Sequence, residues 1–132
     1  MASTAHDTLV DLERGTPSWF LWSARLLPAG LAAQFLLAGQ ALFGGLPWGA
    51  HVTLGMALFV PVAALLSGAL SIRRLRGFNW WAGLMSLLYL LQVALAAAGP
   101  AALAFHPFNA ALLLASALVL LAKIERRLRH QA

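Results

Sequence analysis

Four apolar stretches, each long enough to cross a bilayer, dominate the sequence and leave few residues for anything else. They cover 22–43, 51–71, 80–98 and 104–122. About 20 apolar residues span a membrane as a helix. The 132 residues are 61% hydrophobic and 10% charged, whereas soluble domains are about 45–50% apolar and about 25% charged. The sequence therefore predicts an all-α integral membrane protein.

The connections between these stretches are short. Glycine and proline interrupt the apolar sequence at 44–50 and 98–102, and a basic loop occupies 72–79. Short loops force consecutive helices to run antiparallel, so we predict an up-down-up-down four-helix bundle over 22–122. The remainder is an N-terminal tail, 1–21, and a basic tail, 123–132. Pro28 and Pro61 each remove a backbone donor and predict kinks in the first and second spans.

Basic residues lie on one side of this predicted bundle. They are Arg14, Arg25, Arg73, Arg74, Arg76, Lys123, Arg126, Arg127 and Arg129. The connections at 44–50 and 98–105 carry no charge. The positive-inside rule therefore places both termini in the cytoplasm (N-in, C-in), and we expect a multi-pass protein of a bacterial plasma membrane. The net charge of +5 then reflects topology and contact with membrane lipids, not nucleic-acid binding. The six arginines of the loop and tail could also bind anionic headgroups.

The composition argues against several functional classes. The sequence contains no cysteine, which excludes disulfides, iron–sulfur clusters and covalently attached c-type haem. No Asp, Glu, Lys or Arg lies inside a predicted span away from its ends, where pumps and ion-coupled transporters place them. No serine is paired with a base and an acid. We therefore predict no catalytic residues and do not expect an enzyme.

Four polar side chains, one from each predicted helix, fall in the outer half of the bundle. The first and third spans run outward, so at about 1.5 Å per residue Gln40 and Gln92 lie far along them. The second and fourth spans begin near His51 and His106. The sequence therefore predicts that these four residues converge.

Two interpretations of the histidines follow. In the first, His51 and His106 cap their helices at the outer interface, with Pro107 at the first helical position after His106, and the glutamines form interhelical hydrogen bonds. In the second, His51 and His106 are the axial iron ligands of a haem b in an apolar slot between the second and fourth spans, beside Gln40 and Gln92.

Short motifs carry two resemblances. "HVTLG", which begins at His51, and "LLQVALAAAGPAALAFHPFNAALLLA" at 90–115 resemble one half of haem A synthase. That resemblance implies a four-helix bundle with His51 and His106 as axial ligands. The outer loops lack the glutamate and the cysteine pair that the family uses in methyl oxidation, so haem binding alone is implied. The chain also resembles small bacterial four-helix membrane proteins of unknown function, through "QFLLAG", "WGAHVTLG" and "FHPFNA".

The sequence leaves two functions open. One is a haem b protein for electron transfer or haem handling. The other is a cofactor-free accessory subunit of a larger membrane complex, packed through its Gly/Ala faces. Either function implies a membrane-protein partner or a homo-oligomer.

Overall fold

A computed structural model describes residues 7–132. Within these residues the fold is all-α, and four helical segments are long and apolar enough to span a membrane. They are Ser18–Phe43, Gly49–Ser71, Arg73–Ala97 and His106–Arg129. The predicted all-α class and the predicted number of membrane-length helices are confirmed.

The described residues form six α-helices and two short 3-10 helices. The α-helices are α1 (Ser18–Phe43), α2 (Gly49–Ala57), α3 (Phe59–Ser71), α4 (Asn79–Ala97), α5 (Pro100–Leu103) and α6 (His106–Arg129), and the 3-10 helices are Leu12–Arg14 and Arg73–Phe78. The first and last long helices extend beyond the apolar stretches. α1 begins at Ser18, within the predicted tail 1–21. α6 continues to Arg129, through most of the predicted tail 123–132, because the Lys, Arg and Glu residues there favour helix.

Proline interrupts the second span but not the first. α1 continues through Pro28, which is buried inside it. The second span is divided at Leu58 into α2 and α3. Pro61 lies four residues after Ala57 and has no N–H to donate to the Ala57 carbonyl, so the hydrogen-bond ladder is broken there.

Glycines with positive φ end the helices where the two uncharged connections begin. Gly45 has a φ of 69° just after α1, and Gly99 has a φ of 94° between α4 and α5. A side chain at either position would be strained. Pro100 then opens the short α5, which leads into α6.

The four spans pack as a ring. α1 contacts α3 and α6, and α4 also contacts α3 and α6. The second and fourth spans are therefore diagonal, as are the first and third. We call the end formed by Ser18, Ser71, Asn79 and Arg129 the basic end, and the end formed by Phe43, Gly49, Ala97 and His106 the histidine end.

Buried residues concentrate towards the basic end. α1 buries none after Leu31, α2 buries none at all, α4 buries none after Tyr89 and α6 buries none before Asn109. The largest apolar side chains with almost no exposure are Phe20, Leu27, Leu65, Leu75, Phe78, Met85, Leu113, Leu120 and Ile124. The packed core thus fills the basic half of the bundle, and the histidine half has no comparable core.

Residues 7–16, the N-terminal strap, cross the basic end and bind Arg127. The Arg127 side chain is 0% exposed. Its Nη1 donates to the carbonyls of Thr8 (2.8 Å) and Val10 (2.7 Å), its Nη2 to that of Asp11 (3.2 Å), and its Nε to Thr16 Oγ1 (3.1 Å). Of the six arginines of the loop and tail, Arg127 is therefore enclosed by the strap.

Further contacts fix the strap. Arg74 Nε donates to the Gly15 carbonyl at 2.9 Å, and Gln131 Nε2 donates to the Leu12 carbonyl at 3.2 Å. The main chain at Asp7 lies directly against Gly77, leaving no room for a Cβ there. Three separate elements of the basic end, the 3-10 helix Arg73–Phe78, α6 and the residues after it, therefore hold the strap.

Candidate functional site

His51 and His106 lie side by side at the histidine end. His51 is in the first turn of α2, and His106 is the first residue of α6. The centroids of the two imidazole rings are 6.2 Å apart, and the ring planes are inclined by 59°. The structure thus brings together two histidines that are 55 residues apart in the sequence (106 minus 51), one from each of the two diagonal spans.

Each ring is held by a main-chain carbonyl of a neighbouring helix. His51 Nδ1 is 3.2 Å from the Gln34 carbonyl oxygen of α1, and His106 Nδ1 is 3.0 Å from the Gln92 carbonyl oxygen of α4. A carbonyl can only accept, so Nδ1 carries the hydrogen and donates it. In a neutral imidazole Nε2 then has a free lone pair. This is the arrangement that orients metal-binding histidines.

Another residue of α6, Asn109, holds the Gln92 side chain in place. The Asn109 side chain is 3% exposed. Its Nδ2 donates to Gln92 Oε1 at 2.7 Å and to the Leu88 carbonyl at 2.9 Å. Asn109 follows His106 by three residues and so occupies the same face of α6. The two residues together join α6 to α4 beside the histidine pair.

Gln34, rather than Gln40, is the glutamine of α1 at this site. Gln40 is exposed, and the histidines donate to the main-chain carbonyls of Gln34 and Gln92. Six residues at 3.6 per turn rotate a side chain by about 240°, so Gln34 and Gln40 lie on different faces of α1. Counting depth along the helix could not distinguish these faces.

The Gln34 side chain occupies a tight position. Its Oε1 is buried without a hydrogen-bond partner among residues 7–132. A Cβ at Gly55 would lie 2.5 Å from Gln34 Nε2, so α1 and α2 approach closely because residue 55 is glycine. The Tyr89 hydroxyl donates to the Gly55 carbonyl at 2.9 Å and connects α4 to α2 below the histidines.

Neither histidine caps its helix. Trp48 stands at the N-cap of α2 and Phe105 at the N-cap of α6, and neither helix has a side-chain capping hydrogen bond. The His51 ring instead packs edge-on against Trp48, with centroids 5.4 Å apart. The capping interpretation is therefore wrong, because both imidazoles bind across to another helix.

Comparison with known proteins gives one match. The family of unknown function DUF6220 matches residues 34–99. The chain belongs to this family. The matched residues include Gln34, His51 and Gln92 and end before His106. No curated protein matches the chain, and no solved structure matches it. Nothing in these comparisons links this DUF6220 member to haem A synthase.

The donor set limits which metal groups this DUF6220 member could hold. Among residues 7–132 there is no group of three or more His, Cys, Asp or Glu side chains placed to bind a metal ion. Zinc sites usually take three or four protein ligands. Two imidazoles suit a group that brings most of its own ligands, such as a porphyrin.

Proposed function

We propose that the chain is a membrane-embedded haem b protein in which His51 and His106 bind the iron from opposite sides. The separation of the two rings carries the proposal. Imidazoles on opposite sides of one metal have centroids about 6 Å apart, because a metal–nitrogen bond is about 2 Å and the centroid lies about 1 Å further on. The measured separation is 6.2 Å.

The surroundings of the histidines support a planar group. A porphyrin between His51 and His106 would extend towards α1 and α4, which form the other diagonal of the ring. The histidine half has no buried apolar core, so less side-chain packing opposes such a group there. Gln34 Oε1, buried and without a partner, is a polar group that such an occupant could contact.

The proposed ligation suits electron transfer. A haem iron with two histidine ligands has no open coordination position, so the group would supply one-electron redox chemistry rather than bind a substrate. The chain's contribution is to orient both rings through the Gln34 and Gln92 carbonyls and to surround the group with apolar residues. We further propose N-in, C-in insertion in a bacterial plasma membrane, with the haem near the outer surface, on the strength of the positive-inside rule.

Single histidine variants test the proposal. The protein is purified in micelles after expression with added haem, and the reduced-minus-oxidised absorption spectrum is recorded. His51→Ala and His106→Ala should each abolish the sharp reduced-state band of a six-coordinate haem, and the double variant should show no further loss. His130→Ala is the matched control, because His130 is exposed near the basic end, and it should keep the band.

A colourless wild-type protein under these conditions would exclude haem. The alternative function, a cofactor-free accessory subunit of a larger membrane complex, would then replace it. A band that survives in both single variants would place any haem elsewhere on the chain.

A further inference from the structure

A cavity of about 240 Å³ opens at the basic end between α4 and α6. Its lining residues are Gly77 of the 3-10 helix Arg73–Phe78, Trp80 and Trp81 in the first turn of α4, and Lys123 near the end of α6. The Lys123 ammonium lies 5.9 Å from the Trp81 ring centroid. The cavity thus combines one cation with two indoles, on the opposite end of the bundle from the histidines.

The Lys123 charge is not neutralised by the protein. Among residues 7–132 the one ion pair joins Arg25 to Glu125, at 2.7 Å. The Asp7 main chain lies against Gly77, and the Asp7 carboxylate accepts a hydrogen bond from the Leu9 N–H at 2.9 Å. Lys123 and the two indoles therefore offer hydrogen-bond donors without an acceptor in the described part of the chain.

The cavity lies at the end of two membrane-length segments, where a bilayer surface is expected. It stands where two of the membrane-length segments end, and Trp19, Trp22 and Trp80 are all exposed at this end. Exposed tryptophans in this position mark the headgroup layer of a bilayer. An anion that reaches this cavity from the membrane is therefore a lipid phosphate.

We propose that this cavity binds the phosphate of an anionic phospholipid headgroup, with Lys123 as the cation and Trp80 and Trp81 as flanking donors. A headgroup with net negative charge is favoured over a zwitterionic one, because no carboxylate lines the cavity to pair with a choline or ethanolamine cation. The site is independent of the proposed haem, since it lies at the other end of the bundle.

Titration of the purified protein with phosphatidylglycerol, followed by native mass spectrometry from neutral detergent micelles, tests the proposal. Micelles remove the surface potential of a bilayer, so only a local site retains lipid. Wild type should retain one phosphatidylglycerol more strongly than phosphatidylcholine. Lys123→Gln should weaken retention about fivefold, the effect of about one basic residue near a headgroup, and Lys123→Arg should restore it.

Arg126→Gln is the matched control, because Arg126 is an exposed basic residue of the same helix and does not line the cavity. Its retention should match wild type. Equal losses of lipid retention in Lys123→Gln and Arg126→Gln would show that overall charge, and not a local site, causes the loss, and would contradict the proposal. Equal retention of phosphatidylcholine, or displacement of the lipid by an equal concentration of inorganic phosphate, would also overturn it.

Discussion

The two ends of the bundle are built differently. At the basic end, apolar side chains from all four spans are buried together, and the N-terminal strap covers them through Arg127. At the histidine end, the helices meet through a few hydrogen bonds, from His51, His106 and Asn109. The difference indicates that the basic half supplies most of the packing that stabilises the fold.

The basic end depends on a buried charge that forms no ion pair among residues 7–132. Arg127 is surrounded by main-chain carbonyls and a threonine hydroxyl, which satisfy four of its hydrogen bonds. A buried charge is tolerated only when its donors are paired in this way. The strap and Arg127 therefore depend on each other.

The largest effect that we expect comes from removing that charge. Arg127→Met keeps most of the side-chain volume but leaves the carbonyls of the strap without donors. We expect a loss of about 3 kcal/mol in the free energy of unfolding, since each orphaned buried acceptor costs about 1–3 kcal/mol. Denaturant unfolding in micelles measures the loss, and limited proteolysis should cut the strap faster than in the wild type.

The control is Arg126→Met, at an exposed position, which should change stability by less than about 0.5 kcal/mol. Equal effects of the two variants would contradict the strap's role.

A pair of leucines on α1 compares the two halves directly. Leu27 is 0% exposed in the basic half, whereas Leu36 is 63% exposed in the histidine half. Leu27→Ala should cost about 2–3 kcal/mol, because a cavity forms among packed neighbours. Leu36→Ala should cost less than about 0.5 kcal/mol. Thermal unfolding in micelles compares them, and a large loss for Leu36→Ala would show that the histidine half is packed too.

The features that depend on local sequence patterns were predicted well, namely the spans and the connections between them. Apolar length set the four spans, and glycine and proline set the two uncharged connections, because these depend on local backbone chemistry. The convergence of His51 and His106 followed from depth along the helices. Gln34 was missed because depth does not fix the face of a helix on which a side chain lies.

The strap shows a second kind of limit. Arg127 stands among several basic residues after an apolar stretch, and the pattern predicts a solvated charge that sets topology. Its burial depends on the path of residues 7–16, which contact α6 more than 110 positions along the chain. No local pattern indicates such a contact.

The smallest effect that we expect concerns the hydrogen bonds beside the histidine pair. Asn109→Ala removes the two bonds from Asn109 Nδ2 to Gln92 Oε1 and to the Leu88 carbonyl. Interhelical hydrogen bonds in membrane proteins contribute about 0.6 kcal/mol each, so the loss in stability should be about 1 kcal/mol. His106 is held by the main-chain carbonyl of Gln92, not by its side chain, so the absorption band of the proposed haem should persist in this variant. Thermal unfolding and the reduced-state spectrum are measured on the same sample, with Asn79→Ala, an exposed position at the start of α4, as the control. Loss of the band with little loss of stability would mean that the Asn109 side chain positions His106 for ligation. It would contradict the expectation that the Gln92 main-chain carbonyl alone holds His106.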